Sequence, residues 1–264
     1  MNQTVNPTII ITGGASGIGF AAAKTFAQKG FNVSLLDLNT DALIKAKDEL
    51  TETSELIQIL PCDITNETQV SDAMDACIER FGQINAVLPS AGIIQDGYFI
   101  KTDQQTGKVK KAMSMTQFNS VINVNLTGTF NTLQQAAVRM VNNDWKGVLY
   151  VVSSINQGGQ LGQLNYVSTK HALALWPKLL VGEFIQQGIN GIRVVGISPG
   201  YVDTPILQAI KPEIQSSIIK DIGIGRFLKT DEITATLWHI WENKAINATT
   251  IEVSGGVVQR GMCK

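Results

Sequence analysis

Short apolar runs alternate with longer amphipathic stretches along almost the whole chain. The runs are rich in β-branched residues and apolar without interruption, as in "TIIIT" and "VLYVV", which is typical of strands buried on both faces. The longer stretches carry apolar residues at helical spacing. The predicted strands are 8–12, 31–37, 55–60, 84–89, 147–154, 192–198 and 249–254, and the predicted helices are 17–29, 40–53, 66–81, 116–143, 164–187 and 230–244.

Strands that alternate with helices of this length predict right-handed crossovers and a doubly wound, parallel, seven-stranded sheet with helices on both faces. We find neither an internal repeat nor a linker, so residues 1–264 are interpreted as a single α/β domain. Two segments depart from the alternation. Residues 93–115 predict an inserted hairpin with its turn near 103–107, and residues 200–225 predict a lid over a ligand site.

Composition narrows the function classes. Hydrophobic residues make up 44% of the 264 residues and charged residues 16%, with a net charge of −1, which argues against a nucleic-acid surface or a polybasic membrane anchor. Three cysteines without a CxxC pair predict neither a disulfide framework nor a zinc site, and they favour a reducing compartment. With no basic leader and no apolar run of about 20 residues, we expect a cytoplasmic protein.

The stretch "TGGASGIG" (12–19) follows the first predicted strand and opens the first predicted helix. Gly13 permits a tight turn, while Gly17 and Gly19 permit close approach of the backbone to phosphate and of the helix to the strand. The helix start around Ser16 and Ile18 then offers free N–H groups to a pyrophosphate. A strand, glycine turn and helix in this order indicate a Rossmann fold that binds a dinucleotide.

Asp37 ends the second predicted strand, 20 residues beyond Gly17. A carboxylate at this place can accept both hydroxyls of the adenosine ribose and repels a 2′-phosphate. Since no Lys or Arg lies in the glycine turn or directly after Asp37, the sequence predicts NAD(H) rather than NADP(H). The alternative is an ordinary aspartate that caps the next helix.

"YVSTK" places Tyr166 and Lys170 four residues apart in a predicted helix, so both side chains project from the same face. A phenol and an ammonium held this close change each other's acidity. Taken alone, the pattern is more often a surface helix in which a lysine happens to follow a tyrosine.

With the glycine turn, Asp37 and "YVSTK" in one chain, the sequence resembles the short-chain dehydrogenase/reductase family over nearly its whole length. The matching segments are "TGGASGIG", "CDI", "NVNLTGTF", "YVSTK" and "SPGYVDT", in family order. The resemblance implies hydride transfer between a nicotinamide cofactor and a secondary alcohol or ketone. It also implies cofactor contacts at Asp63, Ile64, Ala91, Gly92, Tyr166, Lys170, Pro199, Gly200, Val202 and Thr204, and catalytic residues Asn125, Ser154, Tyr166 and Lys170.

In the implied chemistry, Tyr166 exchanges a proton with the substrate oxygen, and Lys170 together with the cationic nicotinamide lowers the pKa of the phenol. The serine has two candidates. A spacing of 13 residues before Tyr166 selects Ser153, whereas the Ser-Ser strand ending of the family selects Ser154. We favour Ser154, because a slip in strand register moves every side chain to the other face.

Two features depart from the family pattern. Pro89 and Ser90 stand in "PSAG" where the family usually has two asparagines, which brings the loop geometry into question. Pro177 lies inside the predicted helix that carries Tyr166 and is expected to kink it. His171 and His239 are interpreted as structural, and no metal-binding cluster is visible.

Several substrate classes fit these motifs. The candidates are a 3-oxoacyl group on a carrier protein, a sugar, a hydroxysteroid or a small secondary alcohol, and the alternative from another class is a nucleotide-binding regulatory protein without turnover. The resemblance implies a homotetramer or homodimer built on helices 116–143 and 164–187. Lys101, Lys108, Lys110 and Lys111 make the hairpin basic, which suggests either a border of the substrate entrance that favours anions or a solvated surface.

Overall fold

The computed structural model of the protein describes residues 6–50 and 55–257. Its strands are β1 (Thr8–Thr12), β2 (Asn32–Asp37), β3 (Ile57–Pro61), β4 (Ala86–Pro89), β5 (Ile100–Thr102), β6 (Val109–Ala112), β7 (Gly147–Val152), β8 (Ile192–Pro199) and β9 (Thr249–Val253). Its α-helices are α1 (Gly17–Gln28), α2 (Thr40–Glu49), α3 (Glu67–Phe81), α4 (Met115–Ile122), α5 (Gly128–Asn142), α6 (Leu164–Gln186), α7 (Pro205–Gln208), α8 (Pro212–Ile219) and α9 (Thr230–Glu242).

Seven strands form one parallel sheet in the order β3-β2-β1-β4-β7-β8-β9, which confirms the predicted doubly wound architecture. The chain winds outward from β1 to β3 and then crosses back to place β4 on the other side of β1. Thr12 at the end of β1 lies opposite Leu36 on β2 and Pro89 on β4. The carboxyl ends of these strands therefore meet where the winding direction reverses, which is where open α/β sheets bind ligands.

Both faces of the sheet are covered, and β1 shows why its sequence is continuously apolar. Ile9 and Ile11 pack with Phe26 of α1 and Leu237 of α9, whereas Ile10 packs on the other face with Met140 of α5. All three isoleucines have no exposed surface. Successive residues of a strand point to opposite faces, so a strand that is covered on both sides is apolar at consecutive positions.

The prediction of one continuous helix over 116–143 is wrong, because the structure has three helical segments there. α4 is followed by a π-helical segment, Asn123–Thr127, and then by α5. The predicted helix 40–53 corresponds to α2, which ends at Glu49, and residues 51–53 lie outside the described residues. The other prediction concerns the kink expected at Pro177. α6 continues through Pro177 without interruption, although the buried proline ring cannot donate a backbone hydrogen bond.

The two irregular segments have structure of their own. β5 and β6 form an antiparallel hairpin whose turn is closed by bonds from Asp103 N to Lys108 O and from Gly107 N to Asp103 O, each 2.9 Å long. The second segment contains α7 and α8, and α8 has no buried residue. None of the described helices is long and apolar enough to cross a membrane.

Candidate active site

A cavity of about 760 Å³ opens at the carboxyl ends of the central strands. It is lined by all of the predicted cofactor-binding residues and by three of the four predicted catalytic residues, Asn125 being the exception. The lining residues from the prediction are Gly13, Ser16, Gly17, Ile18, Gly19, Asp37, Asp63, Ile64, Ala91, Gly92, Ser154, Tyr166, Lys170, Pro199, Gly200, Val202 and Thr204.

The glycine turn brings backbone close to the cavity. Gly13 has φ +63°, and a Cβ there would lie 2.7 Å from the Cα of Ala91. The Ser16 side chain at the start of α1 makes no capping hydrogen bond, so it leaves the first N–H groups of the helix to other partners. The turn therefore packs against Ala91 too closely for a side chain at Gly13, and with the uncapped start of α1 it forms a cradle that suits the pyrophosphate of a dinucleotide.

Asp37 lies at the end of β2 on the edge of this cradle. One carboxylate oxygen accepts a hydrogen bond from Ala15 N at 3.3 Å and the other accepts from Asn39 N at 3.1 Å. These bonds fix the carboxylate between the glycine turn and α2 while it still lines the cavity. Among the described residues, Lys170 is the one cation of the cavity wall, and it lies on α6 rather than beside Asp37.

The hydrogen bonds of Ser90 show how the loop "PSAG" is held without the two asparagines that the family usually has there. Its hydroxyl donates to the Thr12 carbonyl at 2.6 Å, and its backbone N–H donates to the same oxygen at 3.2 Å. The Ala91 N–H reaches Thr12 Oγ1 at 3.3 Å. A serine therefore joins the ends of β1 and β4, and it also lines the cavity, a role that the motif alone did not reveal.

Tyr166 and Lys170 lie on the first turns of α6, with Lys170 Nζ 5.5 Å from the centre of the phenol ring. Lys170 Nζ donates to the Val152 carbonyl at 2.9 Å, and burial lowers the pKa of this lysine to about 8. Burial raises the pKa of Tyr166 to about 12, an effect that a hydrogen bond with Ser154 opposes and the charge of Asp96 reinforces. The expected lowering of the Tyr166 pKa by Lys170 is therefore not found, and Tyr166 is a neutral phenol in this structure.

The two serines at the end of β7 have different partners. Ser153 is buried and donates to the Lys170 carbonyl at 2.7 Å, which anchors the strand to α6. Ser154 forms a side-chain hydrogen bond with Tyr166 and accepts one from Asn156 N at 3.2 Å. The hydroxyl next to the phenol is therefore that of Ser154.

Asn125 is placed behind the cavity wall rather than in it. Its carboxamide has no exposed surface, accepts from Ile93 N at 2.8 Å and donates to Ile93 O at 2.9 Å. These paired bonds tie Asn125 to the loop that follows β4, at Ile93, which does line the cavity.

Several lining residues were not predicted. Asp96, Asn156 and Gln163 surround the Tyr166 end, and Tyr201, Ile206 and Leu207 come from the segment that contains α7. Among the described residues, no group of three or more His, Cys, Asp or Glu side chains is arranged to hold a metal ion. His171 is exposed, with Nδ1 3.1 Å from the Gln157 carbonyl.

Comparison with known proteins agrees with this geometry. The sequence model of the family described as short chain dehydrogenase matches residues 7–215. The chain is 27% identical to a 3-oxoacyl-[acyl-carrier-protein] reductase of Thermotoga maritima, over 94% of this chain and 96% of that protein. It is 29% identical to 3-hydroxyacyl-CoA dehydrogenase type-2 of Drosophila melanogaster, over 96% and 97%. A solved 7α-hydroxysteroid dehydrogenase complexed with NADH and 7-oxo glycochenodeoxycholic acid superposes with a TM-score of 0.85 at 27% identity, covering 97% of this chain and 96% of that one.

Proposed function

Because the chain belongs to the short-chain dehydrogenase family and is an oxidoreductase of CH–OH groups, we propose that it transfers a hydride between NAD(H) and a secondary alcohol or ketone, with Tyr166 as acid and base. The observation that carries the proposal is the juxtaposition of the glycine cradle, Asp37 and the Ser154–Tyr166–Lys170 group around one cavity. When bound, the cofactor would donate or accept the hydride. The residues of this chain bind and orient the cofactor and the substrate, and Tyr166 transfers the proton.

The residues of the cradle fit a dinucleotide and favour NAD(H). The backbone at Gly13 and the start of α1 suits a pyrophosphate, because both line the cavity and Ser16 does not cap the first N–H groups of the helix. Asp37 is positioned to accept the ribose hydroxyls and to repel a 2′-phosphate. Asp63, Ile64, Ala91 and Gly92, with Pro199, Gly200, Val202 and Thr204, are assigned to the rest of the cofactor.

Tyr166 serves directly as the acid in the reductive direction. A phenol with a pKa raised to about 12 is protonated at neutral pH and can donate to a developing alkoxide, while Ser154 holds the oxygen in place. In the oxidative direction the phenolate must be stabilised by positive charge, which Lys170 and the oxidised nicotinamide supply. Asn125 is assigned a positioning role through Ile93.

A secondary alcohol or ketone is the general substrate class. A 3-oxoacyl group on a carrier protein is the second candidate, supported by the similarity to the Thermotoga maritima reductase. Against the carrier protein, Gly182 and Glu183 stand where such reductases often carry an arginine. The buried free thiols of Cys62 and Cys77 fit a cytoplasmic protein, and we assign no nucleic-acid or membrane partner.

A direct titration with NADH and NADPH, followed by turnover on alcohols and ketones, tests the proposal. We expect tighter binding of NADH, and Asp37→Ser should narrow the preference, because it removes both the hydrogen bonds and the repulsion. Tyr166→Phe should reduce turnover by at least about a thousandfold while NADH binding stays within about threefold. Tighter binding of NADPH, or a Tyr166→Phe variant that turns over normally, contradicts the proposal.

A further inference from the structure

A chain of side-chain hydrogen bonds lies at the Tyr166 end of the cavity. Gln163 Nε2 donates to both carboxylate oxygens of Asp96, at 3.0 and 3.2 Å. Asn156 Nδ2 donates to Gln163 Oε1 at 2.9 Å. All three side chains belong to residues that line the cavity with Tyr166, and the proposed reaction uses none of them.

Asp96 fixes the direction of this chain. An ionised carboxylate only accepts hydrogen bonds, so Gln163 must present its NH₂ group to Asp96 and its oxygen to Asn156. Asn156 must then present its own NH₂ group to Gln163. Turning either amide around would place two acceptors or two donors face to face. The chain of bonds therefore ends on an acceptor, the side-chain oxygen of Asn156.

That terminal oxygen has no hydrogen-bond partner among the described residues. Asn156 is only 9% exposed, and an unpaired buried acceptor destabilises a fold unless something satisfies it. The residue is also tied to the reacting group, because its backbone N–H donates to Ser154 Oγ, and Ser154 bonds Tyr166. An acceptor of fixed orientation thus stands two residues from the serine that contacts the phenol.

We propose that Asn156 is a specificity-determining residue, whose Oδ1 accepts a hydrogen bond from the substrate and is oriented for this by Gln163 and Asp96. The preferred substrates are then ketones and alcohols with a second hydroxyl or an N–H group close to the reacting carbon. The oxygen lies within the cavity wall, so the donor reaches it through a local shift of that wall. A site built to bond a hydroxyl strongly rejects an analogue that lacks it. The inference rests on the proposed function.

Matched ketones test this inference. 3-Hydroxybutan-2-one and 4-hydroxybutan-2-one carry a donor one or two carbons from the carbonyl, and their methoxy counterparts lack the donor. With NADH we expect kcat/KM to be about tenfold or more higher for the hydroxy ketones. Asn156→Leu keeps the size and removes the acceptor, so the preference should fall to within about twofold.

Two further variants separate orientation from general damage. Asp96→Asn introduces a side chain that can donate as well as accept, so it releases the fixed direction and should weaken the preference. If Asn156→Leu does not fold, Asp96→Asn still tests whether the orientation of Asn156 determines the substrate preference. Gln160→Leu removes an exposed amide from the same loop, outside the cavity, and should leave the preference unchanged.

Calorimetric titration of the same ketones into the NADH complex gives a readout that does not need turnover. Preferential binding of the hydroxy ketones without any turnover would leave this inference standing and contradict the proposed function. If the unmodified enzyme shows no preference in either measurement, the inference is wrong. It is equally wrong if Asn156→Leu lowers kcat/KM for hydroxy and methoxy ketones by the same factor, since Asn156 then only supports the loop.

Discussion

Burial acts on the charges of Tyr166 and Lys170 in opposite directions. It favours the neutral phenol and the neutral amine, and therefore raises the pKa of Tyr166 to about 12 and lowers that of Lys170 to about 8. The bond from Lys170 Nζ to the Val152 carbonyl keeps the amine inside the site. The folded protein thus holds a charge on Lys170 at a cost in stability, which makes the folding free energy depend on pH.

The sign of this dependence follows from proton binding. Below about pH 8 both states carry charged Lys170, and between about 8 and the ordinary value of 10.5 only the unfolded state does. The unfolded state then binds more protons, so this lysine makes the free energy of unfolding rise with pH in that window. We expect cofactor-free protein to gain up to about 1.4 kcal/mol per pH unit relative to Lys170→Met, as measured by urea unfolding. Parallel pH profiles of the two proteins would contradict the assignment.

The serines make a second prediction at this scale. Ser154 contacts Tyr166, whereas Ser153 contacts the Lys170 carbonyl. We therefore expect the first hydroxyl to serve the reaction and the second to stabilise the fold. We expect Ser154→Ala to lower kcat by about a hundredfold with little change in melting temperature. Ser153→Ala should act mainly on stability, by about 1–2 kcal/mol, because it removes the buried hydrogen bond that joins the end of β7 to α6. A greater loss of kcat in Ser153→Ala would favour the spacing argument over the strand ending.

Local and distant residues of the site differed in how well they could be predicted. Gly13 and Asp37 could be predicted because residues that neighbour them in sequence determine the turn and the strand end. Asn125 turned out to contact Ile93, 32 residues away, and Asp96 contacts Gln163, 67 residues away. No periodicity records such pairs, since they depend on how separate loops meet above the sheet.

At the scale of elements, hydrophobic periodicity located all seven strands of the central sheet, with bounds that differ by at most two residues. It could not detect the π-helical segment at Asn123–Thr127, because the apolar face continues from α4 into α5. It also missed α7 and α8, since helices with few or no buried residues leave no apolar stripe.

The hairpin β5–β6 stands outside the cavity wall. Its strands are exposed along their whole length, and none of their residues lines the cavity. Its base is nevertheless bound to the loop before Tyr166, because Gly97 N donates to Gly162 O at 2.7 Å. Any influence of Lys108, Lys110 and Lys111 on the substrate therefore acts across solvent, where salt screens it.

Neutralising these three lysines together to glutamine tests the hairpin. With an anionic ketone such as a 3-oxoacid we expect KM to rise by no more than about threefold at low ionic strength, with kcat and NADH affinity unchanged. The effect should vanish at about 0.5 M salt. Changing Lys24, Lys29 and Lys45 instead provides a control of equal charge, away from the hairpin and outside the cavity wall. A tenfold rise specific to the hairpin variant would mean that the hairpin contacts the substrate.

At the scale of the whole molecule, the long helices α5 and α6 divide their apolar residues between two environments. Leu173 of α6 is fully buried against the sheet, whereas Leu175 and Leu179 are 54% and 58% exposed. Phe130 of α5 is 51% exposed and packs edge-on against Trp176 of α6. The two helices therefore expose large apolar side chains close to their contact with each other, and subunit interfaces bury surfaces of this kind.

We expect the protein to be a homodimer or homotetramer that buries this surface. Leu175→Glu with Leu179→Glu would place four charges across a two-fold interface, so the mass measured by light scattering at micromolar concentration should fall to that of a smaller assembly. Ile44→Glu on α2 makes a matched control, because Ile44 is similarly exposed, at 47%, away from α5 and α6. A monomeric mass for the unmodified chain would show that the surface is free, and an unchanged mass in the double variant would place the interface elsewhere.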